Sequence, residues 1–383
     1  MIYYGHQHIT EKDIQAVDKV LHSDWLTQGP AIEAFEKKMA SYCGAKYAVA
    51  VTNATSALHI ACKAAGLKKG DILWTSPITF VASANCGRYC GADVDFVDID
   101  DNTYNMSVDE LEKKLKAANN VPKVVIPVHL AGQSCDMERI KALSNKYGFS
   151  IIEDASHATG AEYKEEKVGS CRFSDMTVFS FHPVKIITTG EGGMVLTNNK
   201  NLYEKLKLFR SHGITRNPDL MTKEPDGPWY YQQIDLGFNY RMTDLQAALG
   251  CSQMDALDKF VARRRYLAKR YNEKLADLPV STQCCITDAK PSWHIYIIRV
   301  DFSQVKLTKK EIFSKMKEKG VVLNLHYIPV HLQPYYRQLG FKAGDFPISE
   351  KYYHEAITLP LYYDLTDEEQ DEVIEALHAV LIE

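Results

Sequence analysis

The first residue that could do chemistry is a lysine in a glycine-rich connection. Lys185 follows the apolar run Thr177–Phe181 by four residues, and Thr-Thr-Gly-Glu-Gly-Gly leads from it toward the next run, Met194–Thr197. Glycines allow a tight turn, and the threonines give polar walls rather than a solvated helix face. A lysine amine in such a crevice can form a Schiff base with an aldehyde cofactor. From this motif alone, an ordinary surface cation stays the alternative.

A carboxylate and a histidine follow another apolar run. Asp154 comes directly after Ile151-Ile152-Glu153, and His157 lies three residues further on. A buried carboxylate needs a cationic partner, and the protonated ring nitrogen of pyridoxal phosphate is such a partner. We therefore predict that Asp154 pairs with that nitrogen and that His157 reaches the phenolic oxygen. The alternatives are a helix-capping aspartate and a loop histidine.

Two hydroxyl residues stand where a strand pattern gives way to a helix pattern. Thr55 and Ser56 follow the run Tyr47–Val51, and the helical stretch Ser56–Ala65 begins there. Hydroxyls and free N–H groups at a helix N-terminus bind anions, so this position suits a phosphate monoester. A helix cap without a ligand is the alternative.

Other cofactors fit the sequence less well. No Gly-x-Gly-x-x-Gly follows the first strand, and no Walker A motif is present. His326 and His331 are not part of a His-Glu-x-x-His helix, so we expect no zinc site.

Alternation of apolar runs with helical patterns organises residues 45 to 200. The predicted strands are Tyr47–Val51, Ile72–Thr75, Val94–Val97, Lys123–Val128, Ser150–Glu153, Thr177–Phe181 and Met194–Thr197. The predicted helices between them are Ser56–Ala65, Val81–Cys90, Val108–Ala118 and Asp136–Tyr147. This alternation indicates an α/β fold with a mostly parallel sheet covered on both faces, whose ligands bind beyond the carboxyl ends of the strands.

The pattern changes after about residue 245. A helical stretch runs from Thr243 to about Ala276, and we interpret its arginines 263–265 as a solvated face. A strand in Ser292–Val300, a helix in Lys309–Lys319 and a final helix opened by a capping box at Thr366–Glu369 follow. We therefore predict a large α/β domain over residues 1–245 and a smaller α+β domain over residues 246–383.

Composition narrows the class of protein. The chain has 383 residues and a net charge of −4, which gives no electrostatic case for nucleic acid or an anionic membrane. It has no apolar run of the ~20 residues that a membrane span requires. The first residues do not form a signal-peptide pattern, and the nine scattered cysteines include no Cys-x-x-Cys pair. These features lead us to expect a cytoplasmic protein with reduced thiols.

Beyond these patterns, the sequence resembles the DegT/DnrJ/EryC1/StrS sugar aminotransferases over nearly its whole length. The motifs that carry the resemblance are Trp25–Pro30, Asn53–Leu58, Thr79–Ala82, His129–Gln133, Glu153-Asp154, the Lys185 motif, Gly237–Asp244 and Leu325–His331. The resemblance implies the pyridoxal-phosphate fold type I of aspartate aminotransferase, with Lys185 and Asp154 as catalytic residues and L-glutamate as amino donor. Ser156-His157, where many members have Ala-Gln, departs from the commoner pattern but not from the chemistry.

Further site residues follow from the resemblance alone. It implies that Phe80 stacks on the cofactor ring, that Ser180 lies near the phosphate or substrate, and that Asn239 reaches the phosphate from the other subunit of a homodimer with shared active sites. Besides Ser180 and Asn239, the residues it assigns to the sugar nucleotide are Tyr4, Trp25, Leu26, Thr27, His326, Tyr327, Ile328 and Pro329.

The same resemblance suggests a substrate. It points to a UDP-4-keto-6-deoxy-N-acetylhexosamine of the L-altro configuration, aminated at C4 in pseudaminic acid synthesis. The alternatives are the D-gluco ketosugar of a bacillosamine-type pathway and a sugar-nucleotide sensor without catalysis. A related dehydratase would carry histidine in place of Lys185.

Overall fold

The seven apolar runs predicted between residues 45 and 200 are strands of one sheet in the computed structural model, which describes residues 1–382. Numbered along the whole chain, the strands are β1 (Tyr47–Val51), β2 (Ile72–Thr75), β3 (Asp93–Phe96), β4 (Val124–Ile126), β5 (Ser150–Asp154), β6 (Glu162–Tyr163), β7 (Glu166–Lys167), β8 (Met176–Ser180), β9 (Gly193–Thr197), β10 (Ile214–Thr215), β11 (Gln232–Gln233), β12 (Val280–Thr282), β13 (Ala289–Lys290), β14 (Tyr296–Val300) and β15 (Ala356–Leu359).

The large sheet is mostly parallel, which confirms the predicted fold class. Its strand order is β1-β9-β8-β5-β4-β2-β3. Only β9 runs antiparallel to its neighbours β1 and β8. Because the other strands share one direction, the carboxyl ends of β5 and β8 lie side by side, with Asp154 paired in register to Val178. Every residue of β8 and β9 is buried, as a sheet covered on both faces requires.

Helices cover both faces of this sheet and continue through the C-terminal part of the chain. They are α1 (Glu11–Leu21), α2 (Pro30–Cys43), α3 (Ala54–Ala64), α4 (Ala82–Tyr89), α5 (Val108–Ala117), α6 (Met137–Tyr147), α7 (Lys200–Arg210), α8 (Asp244–Met254), α9 (Leu257–Lys274), α10 (Lys309–Glu318), α11 (Pro334–Arg337), α12 (Pro347–Glu355) and α13 (Asp367–Ile382). The predicted capping box at Thr366 is confirmed, and Thr10 forms another at the start of α1. In the described part of the chain, no helix is both long and apolar enough to cross a bilayer.

The C-terminal part forms a second core around an antiparallel sheet. Its strand order is β12-β14-β15. Tyr271 of α9, Tyr296 of β14 and Leu377 of α13 are among the fully buried side chains of this core. The last helix also contributes Val373, Ile374, Val380 and Leu381 to this core.

The predicted long helix from Thr243 to about Ala276 is wrong in one respect, because the chain breaks it into two. Helix α8 ends at Met254 and α9 begins at Leu257. The prediction of a solvated arginine face is also wrong for Arg264, which is only 2% exposed. Its Nη1 donates to the backbone oxygens of Trp293, His294 and Leu361, so this arginine connects α9 to two other segments.

The division into residues 1–245 and 246–383 stays a prediction, and two contacts cross it. Ile2 pairs with Val321 and packs in the C-terminal core. Met254 and Leu257 pack in a core that includes Phe181 and Met194, which lie after β8 and in β9. The two parts are therefore joined near the N-terminus and again just after residue 245.

Candidate active site

Nine of the residues predicted from the sequence line one cavity. This cavity of about 520 Å³ lies at the carboxyl ends of β5 and β8, beside the start of α3. The nine are Tyr4, Thr55, Phe80, Asp154, His157, Ser180, Lys185, His326 and Tyr327. Polar residues that were not predicted as site residues also line it, namely Asn53, Thr79, Ser156, His182, Glu191 and His294. The position is the one where parallel α/β sheets bind ligands.

The Lys185 amine faces this cavity from the connection after β8. Its Nζ lies 3.4 Å from Nε2 of His294. Burial lowers the pKa of Lys185 to about 8, and the negative charge of Asp154 opposes that shift. A lysine whose pKa is lowered toward neutrality has a larger fraction of the unprotonated, nucleophilic amine. Lys185 is therefore suited to covalent attachment of an aldehyde.

The Asp154 carboxylate is fixed at the end of β5 by two donors. Ser83 Oγ donates to Oδ2 over 2.6 Å, and the backbone N–H of Ser156 donates to Oδ1 over 3.1 Å. Thr79 Oγ1 lies 2.8 Å from Ser83 Oγ, which extends the network to α4 and the segment before it. The carboxylate is 5% exposed but borders the cavity, so a cationic ring nitrogen can pair with it there.

The ring of His157 is held in one tautomer. Its Nδ1 accepts a hydrogen bond from the backbone N–H of Ala131, so the ring proton is on Nε2 and is donated to Tyr327 Oη, 3.0 Å away. Burial, together with the charge of Lys185, holds the pKa of His157 well below its usual range. The ring is therefore a neutral donor within the cavity. Its contact with a cofactor oxygen stays a prediction.

The predicted phosphate seat differs in detail from the structure. Helix α3 begins at Ala54, and its N-cap is Asn53, whose side chain accepts from the backbone N–H of Ser56. Thr55 lines the cavity, whereas the buried Ser56 is not part of its lining. Helix geometry leaves the N–H groups of Ala54 and Thr55 without intrahelical acceptors. An anion would therefore meet these two groups and the Thr55 hydroxyl rather than the helix start predicted at Ser56.

A glycine permits the close contact between β9 and this helix start. A Cβ built on Gly193 would lie 2.5 Å from the backbone carbonyl carbon of Asn53 and 2.6 Å from the nitrogen of Ala54. No larger residue fits there unless the backbone shifts. The last glycine of the Lys185 motif thus brings the lysine connection and the helix N-terminus to one place.

These groups together fit pyridoxal phosphate. Lys185 provides an amine for the aldehyde, Asp154 a carboxylate for the ring nitrogen, and the start of α3 with Ser180 a polar seat for the phosphate. Phe80 also lines the cavity, with 58% of its surface exposed, so an aromatic face is available beside the ring position.

The remaining predicted residues lie outside the cavity lining of this chain. Trp25, Leu26 and Ile328 are exposed. Thr27 pairs with Thr243, and Pro329 caps a short helix. Asn239 is exposed and pairs through its backbone with Ser211. Their predicted roles stay predictions.

Two residues near the reacting groups were missed in the sequence. Ser83 lies in the predicted helix after Thr79–Ala82, and nothing in its spacing points to Asp154. His294 follows Trp293 just before the strand-forming run Tyr296–Val300. A polar ring at the start of an otherwise apolar strand was the available signal.

Behind the cavity, the buried pair His129 and Glu153 serves the fold. Glu153 accepts from His129 over 2.8 Å and from the hydroxyls of Ser174 and Thr177. Burial alone would raise the pKa of Glu153, but these donors hold it below its usual value. Both carboxylate oxygens of Glu153 are bonded to protein groups and the residue does not line the cavity, so of the neighbours Glu153 and Asp154 it is Asp154 that is available to a ligand.

A larger cleft of about 870 Å³ lies around Arg299, away from these groups. The two cationic side chains that line it are already paired, Arg299 with Asp101 and Glu355 and Lys351 with Asp101. Residues 1–382 contain no cluster of three or more His, Cys, Asp or Glu side chains arranged to hold a metal.

A lysine amine and a carboxylate at adjacent parallel-strand ends, beside an open helix N-terminus, define a pyridoxal-phosphate-dependent enzyme of fold type I. The chain belongs to the DegT/DnrJ/EryC1/StrS aminotransferase family, whose model matches residues 7–378. It is therefore an aminotransferase that uses pyridoxal phosphate, as the sequence analysis predicted.

Three similar proteins illustrate the match. The spore coat polysaccharide biosynthesis protein SpsC of Bacillus subtilis is 39% identical over 97% of this chain and 95% of its own length. A UDP-4-amino-4,6-dideoxy-N-acetyl-beta-L-altrosamine transaminase of Campylobacter jejuni is 36% identical over 100% and 98%. The structure of Helicobacter pylori PseC, an aminotransferase involved in the biosynthesis of pseudoaminic acid, superposes with a TM-score of 0.92 at 32% identity, covering 100% of this chain and 99% of that one.

Proposed function

We propose that this enzyme transfers the amino group of L-glutamate to C4 of UDP-4-keto-6-deoxy-N-acetyl-β-L-altrosamine, in pseudaminic acid synthesis. The observation that carries the proposal is the full-length similarity to the altrosamine transaminase and to PseC. The cavity supports the general reaction, because its lysine and carboxylate stand where a sugar ketone and an amino acid could react in turn.

Each of the cavity residues has a distinct role in the proposed reaction. Pyridoxal phosphate, when bound, supplies an electron-withdrawing ring that stabilises negative charge on the reacting carbon. Lys185 Nζ takes the proton from the α-carbon of glutamate and, in the second half-reaction, gives a proton to C4 of the sugar. Asp154 keeps the ring nitrogen protonated, and Ser83 and Ser156 keep Asp154 in place. Tyr4 and His326, whose rings lie 5.4 Å apart, form one wall for the substrate.

We also propose that the working unit is a homodimer with shared active sites. Large apolar side chains between β10 and Asn239 are exposed, including Trp229 at 72% and Leu236 at 67%. Exposed apolar groups in such number are typical of an interaction surface. A second copy of the chain would cover them and bring its Asn239 toward the phosphate seat, which explains why Asn239 lies outside the cavity of its own chain.

The proposed location is the cytoplasm. All nine cysteines are free thiols, and Sγ of Cys62 lies 3.6 Å from Sγ of Cys86 without a bond. A reducing compartment keeps such pairs unbonded.

Among the alternatives, the sensor and the dehydratase are disfavoured by Lys185 itself, which lines the cavity with a lowered pKa. A different amino-sugar substrate is favoured by one observation: the identity to SpsC is 39%, which is higher than the 36% identity to the altrosamine transaminase. The D-gluco ketosugar is the closest chemical rival, because the two ketosugars are epimers.

The deciding experiment measures kcat/KM for the L-altro and D-gluco ketosugars with glutamate as donor. One hydrogen bond that the wrong epimer cannot make is worth about 1–3 kcal/mol, or roughly tenfold to a hundredfold in rate. We expect the L-altro compound to be preferred by that factor. A preference for the D-gluco compound would contradict the proposed L-altro substrate but not the assignment as an aminotransferase. No turnover of either compound would favour another sugar.

A further inference from the structure

His294 enters the cavity from the C-terminal part of the chain, shortly before β14. The backbone N–H of His294 donates to the backbone oxygen of Ala131 over 3.0 Å. The backbone oxygen of His294 accepts from Nη1 of Arg264 over 2.9 Å. The two bonds fix the residue at both of its peptide groups. The ring, 3% exposed as part of the whole residue, then points Nε2 toward Lys185 Nζ at 3.4 Å.

The other ring nitrogen of His294 has no partner. Within residues 1–382, Nδ1 is buried and makes no hydrogen bond. In His157, by contrast, the N–H of Ala131 holds Nδ1 as an acceptor, so the ring proton is on Nε2. No backbone N–H fixes the tautomer of His294 in this way. Its ring proton can reside on Nδ1, and Nε2 then presents a lone pair to Lys185.

Burial and two positive groups act on this ring. Burial, together with the charges of Lys185 from the connection after β8 and Arg264 of α9, keeps the pKa of His294 well below its usual range. The rings of His157 and His326 also face it, and burial keeps both of them neutral. The ring is therefore neutral at physiological pH. The carboxylate of Asp154 acts on Lys185, whose pKa it raises against the effect of burial.

We propose that His294 is a positioning residue that accepts a hydrogen bond from the Lys185 ammonium whenever that amine is free of the cofactor. The inference rests on the aminotransfer reaction and is independent of which sugar is the substrate. Within the described residues, this contact is the only side-chain hydrogen bond of Lys185 Nζ.

The reaction requires such an acceptor. Lys185 is a buried ammonium from the moment it takes the proton of the donor carbon until it passes that proton on. Burying an ammonium without a hydrogen-bond partner costs free energy. A neutral imidazole lone pair holds the ammonium without removing its proton, because the lysine is the stronger base. His294 thus keeps Nζ near the reacting carbon.

The test uses the apoenzyme and pyridoxal phosphate alone. Only the neutral amine attacks the aldehyde, so the rate at which the visible band of lysine-bound cofactor forms, followed against pH, gives the pKa of Lys185. We expect His294→Phe, which removes the acceptor but keeps the ring, to lower that midpoint by about one pH unit, a tenfold change in the neutral fraction. We expect His294→Gln to restore the wild-type midpoint, because its amide reaches the position of Nε2. The amide of His294→Asn is too short to do so, and we expect this variant to behave like the phenylalanine variant.

Turnover gives a second readout. The phenylalanine and asparagine variants should lose about tenfold in kcat with the KM for glutamate unchanged, and the glutamine variant should recover most of that loss. His59→Phe is the matched control, because His59 is also buried among aromatic rings but lies outside the cavity. It should leave the midpoint in place.

Three results would overturn the proposal. They are an unchanged midpoint in the phenylalanine variant, a shift that glutamine does not reverse, and an equal shift in the His59 control. If the phenylalanine variant does not fold, the difference between glutamine and asparagine decides the matter. Failure of wild-type apoenzyme to form the visible band would contradict the cofactor chemistry itself, which is a different outcome.

Discussion

Ser83 Oγ donates a 2.6 Å hydrogen bond to Oδ2 of Asp154, and this contact joins helix α4 to the end of strand β5. The two residues are 71 positions apart in the chain. The orientation of the carboxylate in the cavity therefore depends on a helix that does not otherwise supply reacting groups.

Ser83→Ala should lower activity through Asp154. A hydrogen bond to a charged group is worth about 1.5–3 kcal/mol, so we expect kcat to fall about tenfold or more while the KM for the sugar stays the same. Ser144→Ala is the control, since that buried hydroxyl donates to the backbone of Phe149 away from the cavity. An equal loss of kcat in both variants would show that Ser83 acts only through stability.

Asp154→Asn should retain the cofactor and lose most of its activity. The amide still accepts from Ser83 and fills the same space, so the fold and the cofactor seat should persist. An uncharged amide cannot keep the ring nitrogen protonated, and we expect kcat to fall about a hundredfold, equivalent to about 2.7 kcal/mol. Absorption spectra measure retention of cofactor and steady-state kinetics measure the loss. Rates near those of wild type would contradict the pairing.

The stability of the apoenzyme should depend on pH through Lys185. Its pKa is about 8 in the fold against 10.5 in the unfolded chain, so between these values the unfolded chain binds one proton more. The free energy of unfolding therefore rises with pH across this window, by up to about 3 kcal/mol.

Lys185→Met has no titrating amine at this position. Comparing its free energy of unfolding with that of wild type therefore isolates the pH dependence that Lys185 contributes. The methionine variant should be more stable than wild type at pH 7, and its advantage should shrink as pH rises from about 8 to 10.5. Chemical denaturation of both apoenzymes at several pH values measures the difference. A difference that is constant with pH would show that the pKa of Lys185 is not lowered.

Gly193→Ala should damage the seat for the phosphate. The new Cβ would lie 2.5 Å from the backbone of Asn53, so β9 or the start of α3 must move. Overpacking of this kind costs about 1–3 kcal/mol, and we expect weaker binding of pyridoxal phosphate together with a lower Tm. Gly5→Ala is the control, because its Cβ would make an ordinary contact of 3.6 Å with Val184. Wild-type affinity in the Gly193 variant would mean that the contact is easily relaxed.

Mixing inactive subunits tests whether active sites are shared. In a mixed dimer of Lys185→Ala and Asn239→Ala chains, one site has both defects and the other has none. Random mixing should therefore restore about a quarter of the wild-type sites. The control mixes Lys185→Ala with Asp154→Asn, whose positions line the same cavity of one chain and should restore nothing. If activity does not reappear with Asn239→Ala, that residue does not act across the interface.

The sequence by itself determined the local parts of this protein. The runs that became β1, β5, β8 and β9 were readable because strands buried on both faces are continuous stretches of apolar residues. The capping boxes at Thr10 and Thr366 were readable because their hydrogen bonds join residues three apart. Lys185 and Asp154 were found because each follows such a strand, and parallel strands bring their carboxyl ends together.

Only the tertiary structure decided which groups surround those two residues. His294 meets Lys185 across 109 positions and Ser83 meets Asp154 across 71, and no local periodicity encodes such pairs. The burial of Arg264 was equally hidden, since an arginine run has the pattern of a solvated helix until neighbouring carbonyls supply its acceptors. Local patterns are set by backbone hydrogen bonding and side-chain period, whereas these contacts depend on how distant segments pack.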